Sequence, residues 1–341
     1  MQPVIGPAPA SYSTFDLHTH HYTTDYFDAV RTSGGDYSFA TAPNGQPIIT
    51  LRGARFFGVT QPMTDMARRL DAMDQYGVNV AVLSLSTPNV FFLRADQQPA
   101  LARQMNDAYA AEMAAHPDRI RAFASMPMDE PDAALAELDR ALNELRMSGV
   151  VLLSNIGGAK LTDPRYRPFF EEANRVGLCI FLHPMLPTGT QEAWSDHVLG
   201  PIVAFTFDTT LAVARMAYEG LFRDFPRIKW IVAHAGGAVP WLMERIDSGY
   251  RDFPENQQVI DVLPSVYLKQ LYYDTVTFSP HNLMLLRDLV GTDHLVMGSD
   301  FPHLLGAIDR AVPSITSLPI PEREKAQILS GTALSIMNNA V

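Results

Sequence analysis

Residues 15–20 read FDLHTH, a short apolar run that ends in two histidines separated by one residue. Runs of the same kind, each closing on a residue type that binds metals, recur at residues 178–183 (LCIFLH), 228–234 (IKWIVAH) and 295–300 (LVMGSD). In a (β/α)8 barrel the strands are parallel, so their carboxyl ends converge on one face. The four runs therefore predict a barrel that gathers metal-binding side chains at that face.

Five side chains are candidates for this site, each at or just beyond the end of a predicted strand. They are His18, His20, His183, His234 and Asp300. Taken singly, none is decisive, because a histidine after an apolar strand is often a buried structural group and Asp300 would also suit a helix cap. Side chains alternate along a strand, so His18 and His20 share a face. Structural needs alone rarely produce five such coincidences, which favours a metal site.

Strand and helix segments alternate over most of the 341 residues, which favours a (β/α)8 barrel of the α/β class over an open sheet. The predicted strands are residues 14–17, 78–85, 120–125, 149–153, 178–182, 228–233, 272–274 (the weakest) and 295–297. The predicted helices are residues 65–76, 96–116, 131–147, 164–176, 208–225, 239–250, 280–290 and 321–338. No linker-like tract divides the chain. We therefore expect a single domain over residues 1–341, with insertions after strands one and five at about 23–62 and 184–207.

The composition is that of a globular protein, with 47% hydrophobic and 18% charged residues. The formal net charge of −11 argues against nucleic-acid binding, which needs clustered lysine and arginine. No apolar run approaches the ~20 residues of a membrane span, and residues 1–13 lack a signal-peptide pattern. We expect a cytoplasmic protein that binds no membrane. The single cysteine, Cys179, excludes an intrachain disulfide and is expected to be a buried thiol.

Three histidines and one carboxylate, with water completing the shell, suit Zn²⁺. Ligand type alone does not fix the metal, so iron and manganese remain alternatives. A bound divalent ion would lower the pKa of its water from about 15.7 toward ~7. One of the five residues is then expected to stay off the metal and move protons, and a histidine suits that task because it titrates near neutrality.

Four motifs resemble those of the amidohydrolase superfamily and, within it, the aminocarboxymuconate-semialdehyde decarboxylase family. They are Asp16-Leu17-His18-Thr19-His20, His183-Pro184, His234-Ala235-Gly236-Gly237 with Pro240, and Gly298-Ser299-Asp300-Phe301-Pro302. The resemblance spans nearly the whole chain and implies a (β/α)8 barrel with one divalent metal, usually zinc, and no organic cofactor. It implies that the metal ligands are His18, His20, His183 and Asp300. It also implies that His234 is the acid and base at the metal-bound water, with Asp300 counted among the catalytic residues.

Binuclear members of the superfamily place a carboxylated lysine or a glutamate at the end of strand four. This chain has Leu153-Ser154-Asn155 there, and Lys160 lies several residues further on. The resemblance therefore favours a single metal.

The resemblance also implies arginines that hold the substrate carboxylate, which a guanidinium binds in two places. In the first insertion Arg52 and Arg55 are candidates, and Arg55 fits better. Arg245 lies eleven residues after His234, and in relatives this arginine can reach the neighbouring subunit's site, which implies a homodimer or a higher homo-oligomer. The type decarboxylase has a tryptophan against its substrate in the second insertion. Here the nearest alignment places His197, with Trp194 three residues earlier, and both are predicted to bind substrate.

Three functions follow from these residues. The first is a metal-dependent carboxy-lyase that removes CO₂ from an unsaturated or aromatic carboxylic acid. The second is a metal-dependent hydrolase or hydratase that uses the same site on a lactone, ester, amide or C–C bond of a ring-fission product. The third is a non-catalytic metal-binding protein, which is disfavoured because every expected ligand is present.

Overall fold

The structure is a computed structural model that describes residues 13–187, 189 and 194–339. Its strands, in chain order, are β1 (Phe15–His20), β2 (Tyr37–Thr41), β3 (Pro47–Leu51), β4 (Ala54–Gly58), β5 (Val80–Ser84), β6 (Ile120–Ala122), β7 (Ala124–Ser125), β8 (Val150–Leu153), β9 (Asn155–Ile156), β10 (Ala159–Lys160), β11 (Cys179–His183), β12 (Lys229–Val232), β13 (Tyr272–Asp274) and β14 (Leu295–Val296).

Nine of these strands are parallel to their neighbours. Their order in space is β1, β5, β6 with its continuation β7, β8, β11, β12, β13 and β14, which is also their order along the chain. The Phe123 amide between β6 and β7 donates to the Leu83 carbonyl at 2.8 Å, so these two segments act as one barrel strand. The Leu17 amide donates to the Met297 carbonyl at 2.9 Å and joins the first strand to the last. The predicted (β/α)8 barrel is therefore confirmed, including its weakest strand.

The α-helical segments of the described chain follow the predicted alternation. They are α1 (Thr24–Thr32), α2 (Met66–Tyr76), α3 (Gln98–Ala115), α4 (Pro131–Asn143), α5 (Arg167–Val176), α6 (Phe205–Tyr218), α7 (Leu221–Asp224), α8 (Val239–Asp252), α9 (Pro264–Leu268), α10 (Pro280–Val290), α11 (Ile308–Thr316), α12 (Glu322–Ala326) and α13 (Thr332–Ile336). One predicted helix is interrupted at Gly220, which has φ 77° and separates α6 from α7. The predicted C-terminal helix continues from α12 through a π-helical turn at residues 327–331 into α13. No helix within the described ranges is long and apolar enough to cross a membrane.

Parallel strands covered on both sides are apolar throughout, and β11 illustrates the pattern because all five of its residues are buried. Alternate residues of the strands fill the barrel interior, among them Leu17, Val82, Phe181 and Ile231. Cys179 lies in this interior, and burial raises the pKa of its thiol to about 12. It is the buried structural thiol that the sequence predicts.

The first insertion has more structure than its polar sequence predicts. It contains α1 and a three-stranded antiparallel sheet in the order β2-β3-β4. Asn44-Gly45 stands at the turn between β2 and β3, where Gly45 has φ 82°. Asn-Gly between two strands is the strongest short-range signal of a hairpin, so this element was recoverable from the sequence.

We predict that Gly149→Ala destabilises the barrel more than the same change at a positive-φ glycine with open space around it. Gly149 precedes β8 at φ +150°, and a Cβ there would lie 2.3 Å from the backbone oxygen of Cys179 on β11. Strain and the forced separation of the two strands should cost about 2–4 kcal/mol. Gly157, at φ +55° with no atom within 4 Å of such a Cβ, is the matched control, and Gly157→Ala should cost about 1 kcal/mol. Thermal unfolding followed by circular dichroism measures both, and equal losses would contradict the account.

Candidate metal centre

The barrel brings four of the predicted residues to one point. His18 and His20 come from β1, His183 from the end of β11, and Asp300 from the segment after β14. One ligand atom from each lies within 4.8 Å of the others, and all four side chains are buried. The Nε2 atoms of His18 and His20 are 3.1 Å apart, and each is 3.3 Å from Asp300 Oδ1.

The electrostatics of this cluster fit a cation. Burial lowers the pKa of His20 to about 3 and that of His183 well below its usual range, so both imidazoles are neutral. Burial would raise the pKa of Asp300, but the adjacent charge of His18 holds it well below its ordinary value. Burial would lower the pKa of His18, but the charges of Asp300 and Asp274 raise it to about 10, so a metal ion would have to displace its proton. His20, His183 and Asp300 already have the protonation states that a metal ion requires of its ligands. The four residues therefore fit a single divalent metal.

Asp274, at the end of β13, fixes the orientation of His18. Its Oδ2 lies 2.6 Å from His18 Nδ1, and it also accepts the amides of His234 at 3.0 Å and Ala235 at 2.8 Å. Burial would raise the pKa of Asp274, but the hydrogen bond and charge of His18 lower it. A carboxylate on the far nitrogen of a histidine ligand sets its tautomer and increases its basicity. Asp274 is the last residue of the predicted strand 272–274, and the metal ligands also lie at or just beyond strand ends. Its position at a strand end was therefore a sequence signal for this residue, although the sequence analysis does not name it.

The other two histidine ligands are held in the same manner. Ser84 Oγ lies 3.0 Å from His20 Nδ1, and the Pro184 carbonyl oxygen lies 3.1 Å from His183 Nδ1. With its Nδ1 engaged, each imidazole has Nε2 left to bind an ion. These contacts hold the ligand set in place before any metal arrives.

His234 lies beside the four ligands after β12. Its Nε2 is 3.6 Å from Asp300 Oδ2, and its ring centre is 4.9 Å from that of His18. Its backbone has φ 54°, a conformation that is strained for a residue with a side chain. Gly237 permits this turn, because a Cβ there would lie 2.3 Å from the Thr206 carbonyl oxygen. The His234 side chain is 17% exposed, so it is accessible to a bound molecule.

A cavity of about 800 Å³ opens over these residues, and His183, His234 and Asp300 lie in its wall. The two insertions supply an apolar side, to which Phe56, Phe57 and Phe205 contribute. The cavity volume is within the range of small-molecule sites. The arrangement is a buried metal-ligand set at the base of a mostly apolar pocket.

Arg55 is the predicted substrate-binding residue that the structure brings to this cavity. It lies in the cavity wall, where its Nη2 donates to Gln46 Oε1 at 3.2 Å. Arg52 points elsewhere and forms an ion pair with Asp36 at 2.7 Å. The placement agrees with the expectation that Arg55 is the better of the two candidates.

Three other predicted substrate residues are not brought to the cavity within this chain. Arg245 lies on the exposed side of α8. Trp194 packs on the hydrophobic core, close to Gly200. The His197 side chain is 84% exposed and lies 3.7 Å from Asp196. From this segment Val198 and Pro201 line the cavity of the single chain. The substrate roles of Arg245, Trp194 and His197 stay predictions.

A metal-ligand set of this kind at the carboxyl face of a (β/α)8 barrel defines a class of metal-dependent barrel enzymes. The sequence profile of the Amidohydrolase family matches residues 15–336. The chain belongs to this family.

Named relatives indicate which members of the family this chain resembles. The chain is 28% identical over 329 residues to the 2-amino-3-carboxymuconate-6-semialdehyde decarboxylase of Dictyostelium discoideum, with 94% of this chain and 90% of the relative covered. It is 30% identical over 281 residues to the gamma-resorcylate decarboxylase of Rhizobium sp. (strain MTP-10005), with 76% and 83% covered. The crystal structure of 5-carboxyvanillate decarboxylase LigW from Sphingomonas paucimobilis superposes with a TM-score of 0.84 at 26% identity, covering 96% of this chain and 99% of that one. The predicted family resemblance is confirmed.

We predict that Asp274→Asn weakens metal binding about 10–100-fold, because the carboxylate that orients His18 is lost. The measurement is metal affinity by competition with a chelator. Asp247→Asn is the matched control, since Asp247 on α8 is also buried but accepts the Ser265 amide of α9 at 2.9 Å, away from the ligand set. It should leave metal affinity unchanged, and an equal loss in both variants would show that the effect is a general loss of packing.

Proposed function

We propose that the protein is a metal-dependent carboxy-lyase that removes CO₂ from an unsaturated or aromatic carboxylic acid. The observation that carries this proposal is the joint placement of the metal-ligand set, His234 and Arg55 around one cavity. The names of the relatives support it, because those reported above are decarboxylases.

The metal in this proposal is one divalent ion held by His18, His20, His183 and Asp300. Three imidazoles and one carboxylate suit Zn²⁺, and manganese is the main alternative. When bound, the ion would supply positive charge that stabilises the electron pair developing at the reacting carbon. Elemental analysis of the purified protein identifies the metal.

The protein's own residues supply binding and proton transfer. The planar guanidinium of Arg55 pairs with a carboxylate in two places and so fixes the substrate. The bond between the substrate carbon and its carboxylate carbon breaks, CO₂ leaves, and the electron pair that remains on the carbon takes a proton from His234. Asp300 Oδ2, 3.6 Å from His234 Nε2, is placed to exchange that proton. The apolar wall formed by Phe56, Phe57 and Phe205 limits the access of water to the reacting carbon.

We include a homodimer in the proposal. Trp241, which is 80% exposed, precedes Arg245 by four residues on α8, so the two share one side of the helix. Exposed apolar side chains of the same region extend this surface, namely Ile202, Phe207 and Leu211. Apolar patches of this kind mark protein contacts. A second copy seated here would cover the patch and place Arg245 at the partner's cavity.

We predict that His234→Asn retains metal but lowers kcat for CO₂ release about 10²–10⁴-fold, the usual contribution of a positioned acid or base. His116→Asn makes the same chemical change at the end of α3 and serves as the matched control. Metal content by elemental analysis and CO₂ release from a panel of aromatic and muconate-type acids are measured together. Full activity in His234→Asn would remove this residue from the proposed mechanism.

The same panel separates the competing functions. A metal-loaded protein that releases no CO₂ but opens a lactone or cleaves an ester with uptake of water would be a metal-dependent hydrolase, the second function considered above. Metal binding without any turnover, unaffected by His234→Asn, would leave only a non-catalytic metal-binding role.

We predict that Arg245→Met and His234→Asn, each defective alone, restore one another's activity when the subunits are mixed. In a mixed dimer one cavity receives an intact His234 from its own chain and an intact Arg245 from the partner. Random reassociation of a two-fold dimer should return about a quarter of wild-type activity. Sedimentation fixes the oligomeric state, and a dimer that shows no restoration would mean that Arg245 does not act across subunits.

A further inference from the structure

His303 is a cavity residue that the sequence analysis did not single out. It lies three residues after Asp300, and its ring centre is 5.0 Å from that of the metal ligand His20. It is also packed edge-on against Phe57 at 5.2 Å, in the same wall of the cavity. His303 therefore stands next to the ligand set, against Phe57, and has no role in the mechanism proposed above.

One nitrogen of the His303 ring is anchored. Its Nε2 lies 3.1 Å from the hydroxyl oxygen of Tyr22, a fully buried residue at the start of the first insertion. Burial raises the pKa of the Tyr22 phenol, although a hydrogen bond with Ser86 opposes this, so the phenol stays protonated. Tyr22 thus fixes the position of the His303 ring without forming an ion pair with it.

The other ring nitrogen is free to bind a ligand. In the described chain His303 Nδ1 has no hydrogen-bond partner, and this atom is not fully buried. His303 Nδ1 is not sealed by protein, and the residue lines the cavity, which is where a ligand would meet this nitrogen. An oriented but unpartnered ring nitrogen beside the reacting end of the pocket is what a substrate-recognition group requires.

We propose that His303 is a specificity-determining residue whose Nδ1 forms a hydrogen bond with a hydroxyl substituent on the substrate ring. Tyr22 is its positioning residue. The inference rests on the proposed carboxy-lyase function and adds to it the recognition of a second polar group, distinct from the scissile carboxylate.

A hydroxyl is the substituent that suits this nitrogen best. If Tyr22 donates to Nε2, Nδ1 carries a proton and donates, whereas if Nε2 donates to Tyr22, Nδ1 accepts. A hydroxyl both donates and accepts, so it pairs with either tautomer. A methyl group pairs with neither, and a hydrogen bond lost from a buried site is costly.

The kinetic test compares two acids that differ by one group, 2,6-dihydroxybenzoate and 2-hydroxy-6-methylbenzoate. The ratio of their kcat/KM values should fall about tenfold in His303→Phe, which keeps a ring but removes the nitrogen. His303→Asn, which restores a polar group, should recover part of the ratio, and Tyr22→Phe should lower it less than His303→Phe. All variants are compared at equal metal content, with His116→Asn as the control.

A binding test examines the role of His303 without requiring turnover. The affinity of the metal-loaded protein for 2-nitroresorcinol and for 3-methyl-2-nitrophenol, measured by calorimetry, should favour the former in the wild type and become nearly equal in His303→Phe. Three results would overturn the role of His303. The first is a preference for 2-nitroresorcinol that persists in His303→Phe, and the second is an equal loss of affinity for both ligands in that variant. The third is that the wild type binds neither ligand. Absence of CO₂ release with the binding preference intact would count against the carboxy-lyase proposal instead.

Discussion

The whole site depends on the burial of an ionised carboxylate, Asp300, between imidazoles at the carboxyl end of a parallel barrel. A carboxylate out of water is costly unless positive charge is placed beside it. The barrel meets this requirement by bringing residues nearly 300 positions apart to within 4.8 Å. Among the described residues Asp300 Oδ1 is buried without a hydrogen-bond partner, 3.3 Å from the Nε2 atoms of His18 and His20. A metal ion bound between these atoms would satisfy that oxygen, which is the physical reason that the cluster fits a metal.

The contacts that hold the ligands in place also depend on buried carboxylates. Asp274 holds His18 through a 2.6 Å contact and also ties down the backbone at His234, so one carboxylate positions both a ligand and the proposed proton donor. Asp16 links the first and last strands in a similar way, accepting the Ser299 amide at 2.9 Å, and burial raises its pKa to about 7. Metal binding and proton transfer are therefore built on one continuous set of buried contacts.

Strand ends could be predicted from the sequence because an apolar run followed by a ligand residue is a local pattern with a global consequence in a barrel. That pattern correctly brought together His18, His20, His183, His234 and Asp300. Asp274 was missed because its strand is only three residues long, and His303 because nothing local marks a loop residue as facing a cavity. Trp194 and His197 lie outside the cavity wall of the single chain, which the sequence could not show because the path of a long insertion depends on packing between distant residues.

The most direct test of the account is a crystal structure of the purified protein with anomalous diffraction recorded at the zinc and manganese edges. The account predicts one ion per chain, bonded to His18 Nε2, His20 Nε2, His183 Nε2 and a carboxylate oxygen of Asp300, with His234 outside the coordination shell. Two ions, an ion bound elsewhere, or no ion after reconstitution with either metal would contradict the central claim.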